Sequence, residues 1–184
     1  FIHTSDFQLG MTRRFLKGEA QGRFNDDREA AIVRLGELAE ETGAEFIVVA
    51  GDVFEHNALS REILARATEM FKRLPVPVYV LPGNHDPLVA DSVFYKASAD
   101  NVHVIADSEP IEVAPGVELV GAPYLSKRAN HDLVRQALEP LGPAAGIRIA
   151  VGHGQVDSRS GEDDADTIDL AFVEDCLDRG VIDY

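Results

Sequence analysis

Phe46-Ile47-Val48-Val49-Ala50-Gly51-Asp52 is a run of five apolar residues closed by a glycine and a carboxylate. A continuous apolar run of this kind reads as a strand buried on both faces, and Gly-Asp ends it in a turn. Similar units lie on either side. Phe1 to Ser5 is a short apolar strand broken by Asp6, Val76 to Leu81 ends at Pro82-Gly83-Asn84-His85-Asp86, and Ile147 to Val151 ends at Gly152-His153-Gly154. Between them the spacing turns helical. From about Asn25, Ile32, Leu35, Leu38 and Ala39 recur at three- and four-residue steps up to a C-cap at Gly43. Ser60 can cap a second helix with the stripe Ile63, Ala67, Met70, Phe71 and Leu74. Further helices are expected over Ser92 to Ala99, Asn130 to Leu141 and Thr167 to Asp178. Short strands are expected over Val102 to Ile105, Ile111 to Val113 and Val117 to Val120, the last two joined by Pro115-Gly116. Residues 7–23 read as irregular and 157–166 as a polar, acidic loop. The alternation predicts an α/β sheet core with helices packed on it.

The composition narrows the function classes. The chain has 184 residues, 17 Lys+Arg and 32 Asp+Glu, for a net charge of −15. The length suits one globular domain, and 45% hydrophobic residues supply a core, which excludes wholesale disorder. Six histidines against one cysteine exclude a disulfide scaffold and a cysteine-rich zinc module. The lone Cys176 fits a reducing compartment, so the expectation is a cytoplasmic protein. No apolar run approaches the roughly 18 residues of a membrane span, and no signal peptide is visible. Taken alone, the acidic charge argues against nucleic acid. The chain opens at Phe1 inside an apolar run and ends at Val181-Ile182-Asp183-Tyr184, which reads as the start of another strand. The expectation is one domain over residues 1–184, trimmed at both ends from a longer polypeptide.

Chemistry-bearing residues gather just after the apolar strands: Asp6 and Gln8 after the first, Asp52 after the second, Asn84 and His85 after the third, His153 after the run at Ile147 to Val151. Ligands of open α/β sheets collect in the crevice beyond the carboxyl ends of strands. Asp, Asn and His delivered to one rim form a metal-site inventory suited to Mn, Fe or Zn. An aspartate bridging two cations about 3.5–4 Å apart suits in-line displacement at phosphorus, and a nearby unligated histidine can protonate the leaving oxygen.

Asp6-x-Gln8, Gly51-Asp52, Gly83-Asn84-His85-Asp86 and Gly152-His153, in that order, resemble the calcineurin-like metallophosphoesterases. The opening Ile2-His3-Thr4-Ser5-Asp6-Phe7-Gln8-Leu9-Gly10 is similar to one subfamily, the SbcD-like exonucleases of DNA double-strand-break repair, as are Gly51-Asp52-Val53-Phe54 and Leu81 to Pro87. The resemblance implies a four-layer fold, a mixed β-sandwich flanked by helices. It assigns Asp6 to a first metal, Asp52 to the bridge, and Asn84 and His153 to a second metal. It makes His85 the residue of the transition state or leaving group. It implies two divalent metal ions, manganese first, with Mg, Fe or Zn as alternatives. The implied partners are DNA, a second copy and an SMC-like ATPase, held through segments outside this domain, and no membrane. Two departures stand out. Gln8 replaces the family's first histidine, and its neutral amide is a weaker donor than imidazole. The family's last histidine motif is missing before Tyr184, and the parent chain is expected to continue into a Gly-x-x-His.

The remaining polar residues divide by setting. Arg13, Arg14 and Lys17 form the one compact basic patch, readable as phosphate contacts or as a solvated loop. Glu55 and His56 can face the crevice or solvent. His3 reads as a packed or rim residue and Cys176 as core. His103 reads as part of a strand and His131 as helix surface, and neither is given a function. Asp86 reads as a carboxylate orienting a histidine or ending a turn. The acidic run Glu162-Asp163-Asp164-Ala165-Asp166 lacks the register of a calcium loop and reads as solvated. Three functions compete: a metal-dependent nuclease, with Arg13 and Arg14 on substrate; a phosphodiesterase or phosphatase for small molecules such as cyclic nucleotides; and a non-catalytic scaffold, to which only Gln8 points. Two cations would add +4 at the rim where phosphate arrives, so the charge of −15 predicts weak binding of long DNA by this domain alone.

Overall fold

A computed structural model of the chain describes residues 1–97, 99–157 and 167–184. The acidic run at 162–166 therefore lies outside the described residues. The expected strands form two sheets. β1 (Ile2–Thr4), β2 (Ile47–Ala50), β3 (Val78–Leu81) and β4 (Val102–Val104) make a parallel sheet in that order. β5 (Ile111–Ala114) and β6 (Val117–Gly121) form an antiparallel hairpin turning at Pro115-Gly116, and β7 (Ile147–Val151) pairs parallel with β6.

Strand periodicity explains how the sheets stack. On β2, Ile47 and Val49 point to one side, into a core with Ile32 and Ala39 of α1 (Ala20–Thr42) and Ala67, Met70 and Phe71 of α2 (Arg61–Phe71). Phe46, Val48 and Ala50 point the other way and meet Leu119, Ile149 and Val151 of the second sheet. The outer face of that sheet gives Val120 and Ala150 to a third core with α3 (Leu133–Leu138) and α4 (Leu170–Asp178), where Cys176 is buried. The result is helix, sheet, sheet, helix, the four-layer sandwich expected. Among the described residues no helix is long and apolar enough to cross a membrane.

Gly43 ends α1 in the left-handed conformation (φ 66°), and the Ser60 side chain accepts the N–H of Ile63 to start α2. Several boundaries differ from the sequence reading. α1 begins at Ala20, inside the segment read as irregular and ahead of Gly22. A glycine costs a helix about 1 kcal/mol relative to alanine, but Gln21 and Arg28 bond back to the preceding loop and hold this first turn. The helix expected over Ser92 to Ala99 is a single 3-10 turn, Val93–Tyr95, because Asn57 Oδ1 takes the Val93 N–H and Ser92 Oγ. Its Ser98 lies outside the described residues. α3 is cut to Leu133–Leu138 by the Asp132 cap at one end and Pro140 beyond the other. The last helix begins at Leu170, where Asp169 caps Phe172 N. The tail also ties itself to β7. Asp183 N donates to Arg148 O, Asp183 Oδ2 accepts Arg148 N, and Ala150 N donates to Tyr184 O.

Candidate active site

The carboxyl ends of β1, β2 and β3 lie side by side, and their loops cross-brace. Asp6 N donates to Gly51 O, Gln8 N to Asp52 O, Leu9 N to Val53 O, and Glu55 N returns to Leu9 O. Asp6 (φ 56°), Gln8 (φ 44°) and Asp52 (φ 53°) are the non-glycine residues with positive φ among the described residues. Left-handed backbone is uncommon for such residues and persists where the surroundings over-determine it, as at binding sites. The resemblance places Asp6 and Asp52 on metal, and Gln8 stands where the family has its first histidine. Two glycines make room for them. A Cβ on Gly83 would lie 2.3 Å from Asp52 Oδ1, and one on Gly51 (φ 87°) would lie 2.3 Å from His153 Nδ1.

His153, at the end of β7, crosses from the second sheet to the first. Its Nδ1 lies 2.9 Å from Ala50 O. A carbonyl only accepts, so Nδ1 carries the proton. Nε2 then faces Asn84 Oδ1 at 3.0 Å and Asp52 Oδ1 at 3.5 Å. The lone pair of a neutral ring aimed at two oxygens is stable only with a cation or a proton among them. Burial disfavours the charge, but the Asp52 carboxylate, Ala50 O and Asp6 outweigh it and hold the His153 pKa above its ordinary value. Burial likewise opposes the Asp52 charge, while His153 and the His85 N–H together hold its carboxyl below the usual range. One nitrogen and two oxygens converging on a point that prefers positive charge fit a divalent cation. Among the described residues no group of three or more His, Cys, Asp or Glu side chains could hold a metal alone, so a metal here needs the amide oxygens of Asn84 or Gln8 as well. Gln8 places no side-chain hydrogen bond on any described residue, while its carbonyl accepts from Arg28 at 2.5 Å.

His85 stands beside this point. Its backbone N–H donates to Asp52 Oδ1 at 3.0 Å, which links the loops after β2 and β3. Its ring Nδ1 donates to Glu55 O at 3.1 Å, with Glu55 Oε1 at 4.0 Å, and its side chain is 40% exposed. Nε2 is thereby left for an incoming group. Asp86 lies beneath, fully buried, accepting Phe54 N and Gly83 N at 2.8 Å each. Burial pushes its carboxyl up to about 6, and the Asp52 charge adds to the rise, against the pull of the two N–H groups. Asp86 therefore orders the backbone of both site loops and not a histidine ring.

The other candidates fall outside this cluster. Arg13 and Arg14 are exposed on the loop after Met11. His56 is exposed and accepts Ala58 N within its own turn. His3 meets the Tyr184 hydroxyl at the rim, His103 stacks on Tyr79, and His131 lies between Asn130 and Gln136. Sequence reasoning missed Arg28 and Tyr124. Arg28 donates to Gln8 O and Met11 Sδ and lies over the Phe24 ring, 4.6 Å from its centre. Its one signal was a cation four residues before Ile32, on the buried stripe of α1. Tyr124 is buried with its ring edge-on to His153, and nothing in the local spacing announces that contact.

Residues 1–180 match the calcineurin-like phosphoesterase family, and the chain belongs to that family. The family is one of phosphoester hydrolases that bind divalent metals. Over 98 residues the chain is 32% identical to the DNA double-strand break repair protein Mre11 of Archaeoglobus fulgidus. That stretch covers 52% of this chain and 21% of the relative, so the chain spans well under two thirds of the relative's length. One solved crystal structure superposes with a TM-score of 0.53 at 15% identity, covering 98% of this chain and 79% of that one, a likeness of fold. The Pseudomonas putida nuclease MPE aligns over 80% of this chain and 58% of its own at 17% identity, with a TM-score of 0.39, too low to carry an argument.

Proposed function

We propose that this domain hydrolyses phosphodiesters with two divalent cations held by Asp6, Gln8, Asp52, Asn84 and His153. The observation that carries this reading is the convergence of His153 Nε2, Asn84 Oδ1 and Asp52 Oδ1 beside the left-handed residues Asp6, Gln8 and Asp52. Such a metal pair, when bound, polarises the phosphoryl oxygens and supplies a nucleophilic water near neutral pH. The chain's own residues do the rest. Asp52 would serve both ions, Ala50 O fixes the His153 ring with Nε2 turned inward, and Arg28 pins the Gln8 backbone. As the water oxygen bonds to phosphorus it would release a proton to solvent, and as the bond to the opposite oxygen breaks His85 would pass that oxygen a proton from Nε2. Glu55 orients the His85 ring through its carbonyl.

Manganese is the metal and DNA the substrate in this reading, with Arg13 and Arg14 on substrate phosphates and a role in strand-break repair. The partial likeness to Mre11 supports the DNA assignment. A second copy of the chain, an SMC-like ATPase or further DNA-capping segments would supply the remaining grip, in the cytoplasm. The net charge of −15 favours the rival reading, a small diester as substrate. Manganese-dependent hydrolysis of a short single-stranded DNA, run beside bis-p-nitrophenyl phosphate, separates the two. Cleavage of both is expected. Turnover of the small diester alone would overturn the nuclease assignment.

A further inference from the structure

The loop that follows the site, which carries Arg13 and Arg14, also carries an exposed ring that the hydrolytic step does not use. Phe15 is 76% exposed, more than any other large apolar side chain among the described residues. It sits between Arg13, Arg14 and Lys17, so three cations and one aromatic ring occupy five consecutive residues. From Gln8 to Gly18 there is no Asp or Glu. Among the described residues none of the three cations forms an ion pair. In a chain with 32 acidic residues against 17 basic ones, this is a local reversal of sign.

The loop is also built. Leu16 N donates to Arg13 O at 3.0 Å and closes a turn with Phe15 at its tip. The Gln21 side chain straps the base, accepting Arg13 N at 2.8 Å and donating to Met11 O at 3.3 Å and Asn25 Oδ1 at 2.8 Å. Met11 is buried and Arg28 holds it to Gln8, so the turn is anchored to the loop that bears Asp6 and Gln8.

We infer that Phe15 is a stacking platform for an unpaired nucleobase, and that the flanking Arg13, Arg14 and Lys17 take the phosphates on either side of it. The inference rests on the phosphodiesterase reading above and narrows its substrate to single-stranded nucleic acid or a frayed end. The occupant follows from charge and shape together. Three cations call for a polyanion, and an exposed ring among them calls for one with flat apolar faces. In a duplex those faces are already stacked inside the helix. An acidic peptide offers the charge without the faces.

The chain has no tryptophan, so Phe15→Trp places its sole tryptophan at the tip, where it can be excited selectively over the four tyrosines. With EDTA present to prevent cleavage, titration with a short oligothymidylate is expected to quench that fluorescence. An abasic sugar-phosphate oligomer of equal charge is expected to leave it unchanged. Phe15→Ala is expected to weaken binding of the oligothymidylate about tenfold or more, while metal-dependent hydrolysis of bis-p-nitrophenyl phosphate stays at the wild-type rate. Equal quenching by both oligomers, no quenching, or a spectral change that follows protein concentration alone would overturn the inference. The last would mark the ring as a contact between copies. Loss of bis-p-nitrophenyl phosphate hydrolysis from the wild-type protein would instead count against the phosphodiesterase reading, so the two failures are distinguishable.

Discussion

His85→Ala is expected to lower kcat for a short single-stranded DNA by about 10²- to 10⁴-fold, the range that positioned acid–base groups contribute, and kcat for bis-p-nitrophenyl phosphate by much less, because nitrophenolate needs little protonation to leave. The proton-bearing Nδ1 is bound to Glu55 O, and the half-exposed ring leaves Nε2 for the leaving oxygen. The fold should survive, because the link between the site loops runs through the His85 backbone N–H to Asp52 and not through the ring. Manganese affinity should stay close to wild type, since His85 is not among the proposed ligands. The loss should also shrink as the leaving group becomes more acidic and needs less protonation. A variant with wild-type kcat, or one whose whole defect is lost metal, would remove His85 from the proton path.

Asp86→Ala should have the largest effect on stability. The carboxylate is fully buried and accepts the N–H groups of Phe54 and Gly83, which flank Asp52 and Asn84. Alanine leaves both donors unsatisfied, at about 1–3 kcal/mol each. For a chain of this size that corresponds to a melting temperature lower by about 10 °C. Asp86→Asn keeps one acceptor and should fall between. Thermal unfolding at pH 7.5, above the carboxyl's value of about 6, measures the difference with the group ionised. A shift under about 2 °C for Asp86→Ala would show that the two N–H groups find other acceptors.

What was legible in the sequence depended on the range of the interaction that made it. β2 and β3 are written locally, as apolar runs closed by Gly51-Asp52 and Gly83-Asn84. The cap of α2 and the left-handed end of α1 are equally local, in Ser60 and Gly43. The candidate residues were legible as types at strand ends, since parallel strands bring their carboxyl ends to one rim. Long-range contacts were not legible. His153 meets Ala50 across the two sheets, and no local pattern says which strands share a sheet. Arg28 gave only the weak signal of a cation on an apolar stripe. The start of α1 was misread for the same reason, because Gln21 and Arg28 gain from contacts with the preceding loop that no propensity contains. Asp86 reads as orienting a histidine or ending a turn; it does close its own turn through Gly83 N–H, and the bond that sequence could not show is the one to Phe54 N–H in the other loop.

The central claim is that the oxygens and imidazole at the strand ends hold divalent metal. Calorimetric titration of manganese into the wild-type chain, with Asp52→Asn alongside, tests it most directly. Replacing an outer partner of a ligand typically costs 10- to 100-fold in metal affinity, and a bridging ligand should cost no less. The prediction is saturable binding to the wild type, weakened at least tenfold in a folded Asp52→Asn variant. Equal affinity in both, or no manganese bound by the wild type, would contradict it.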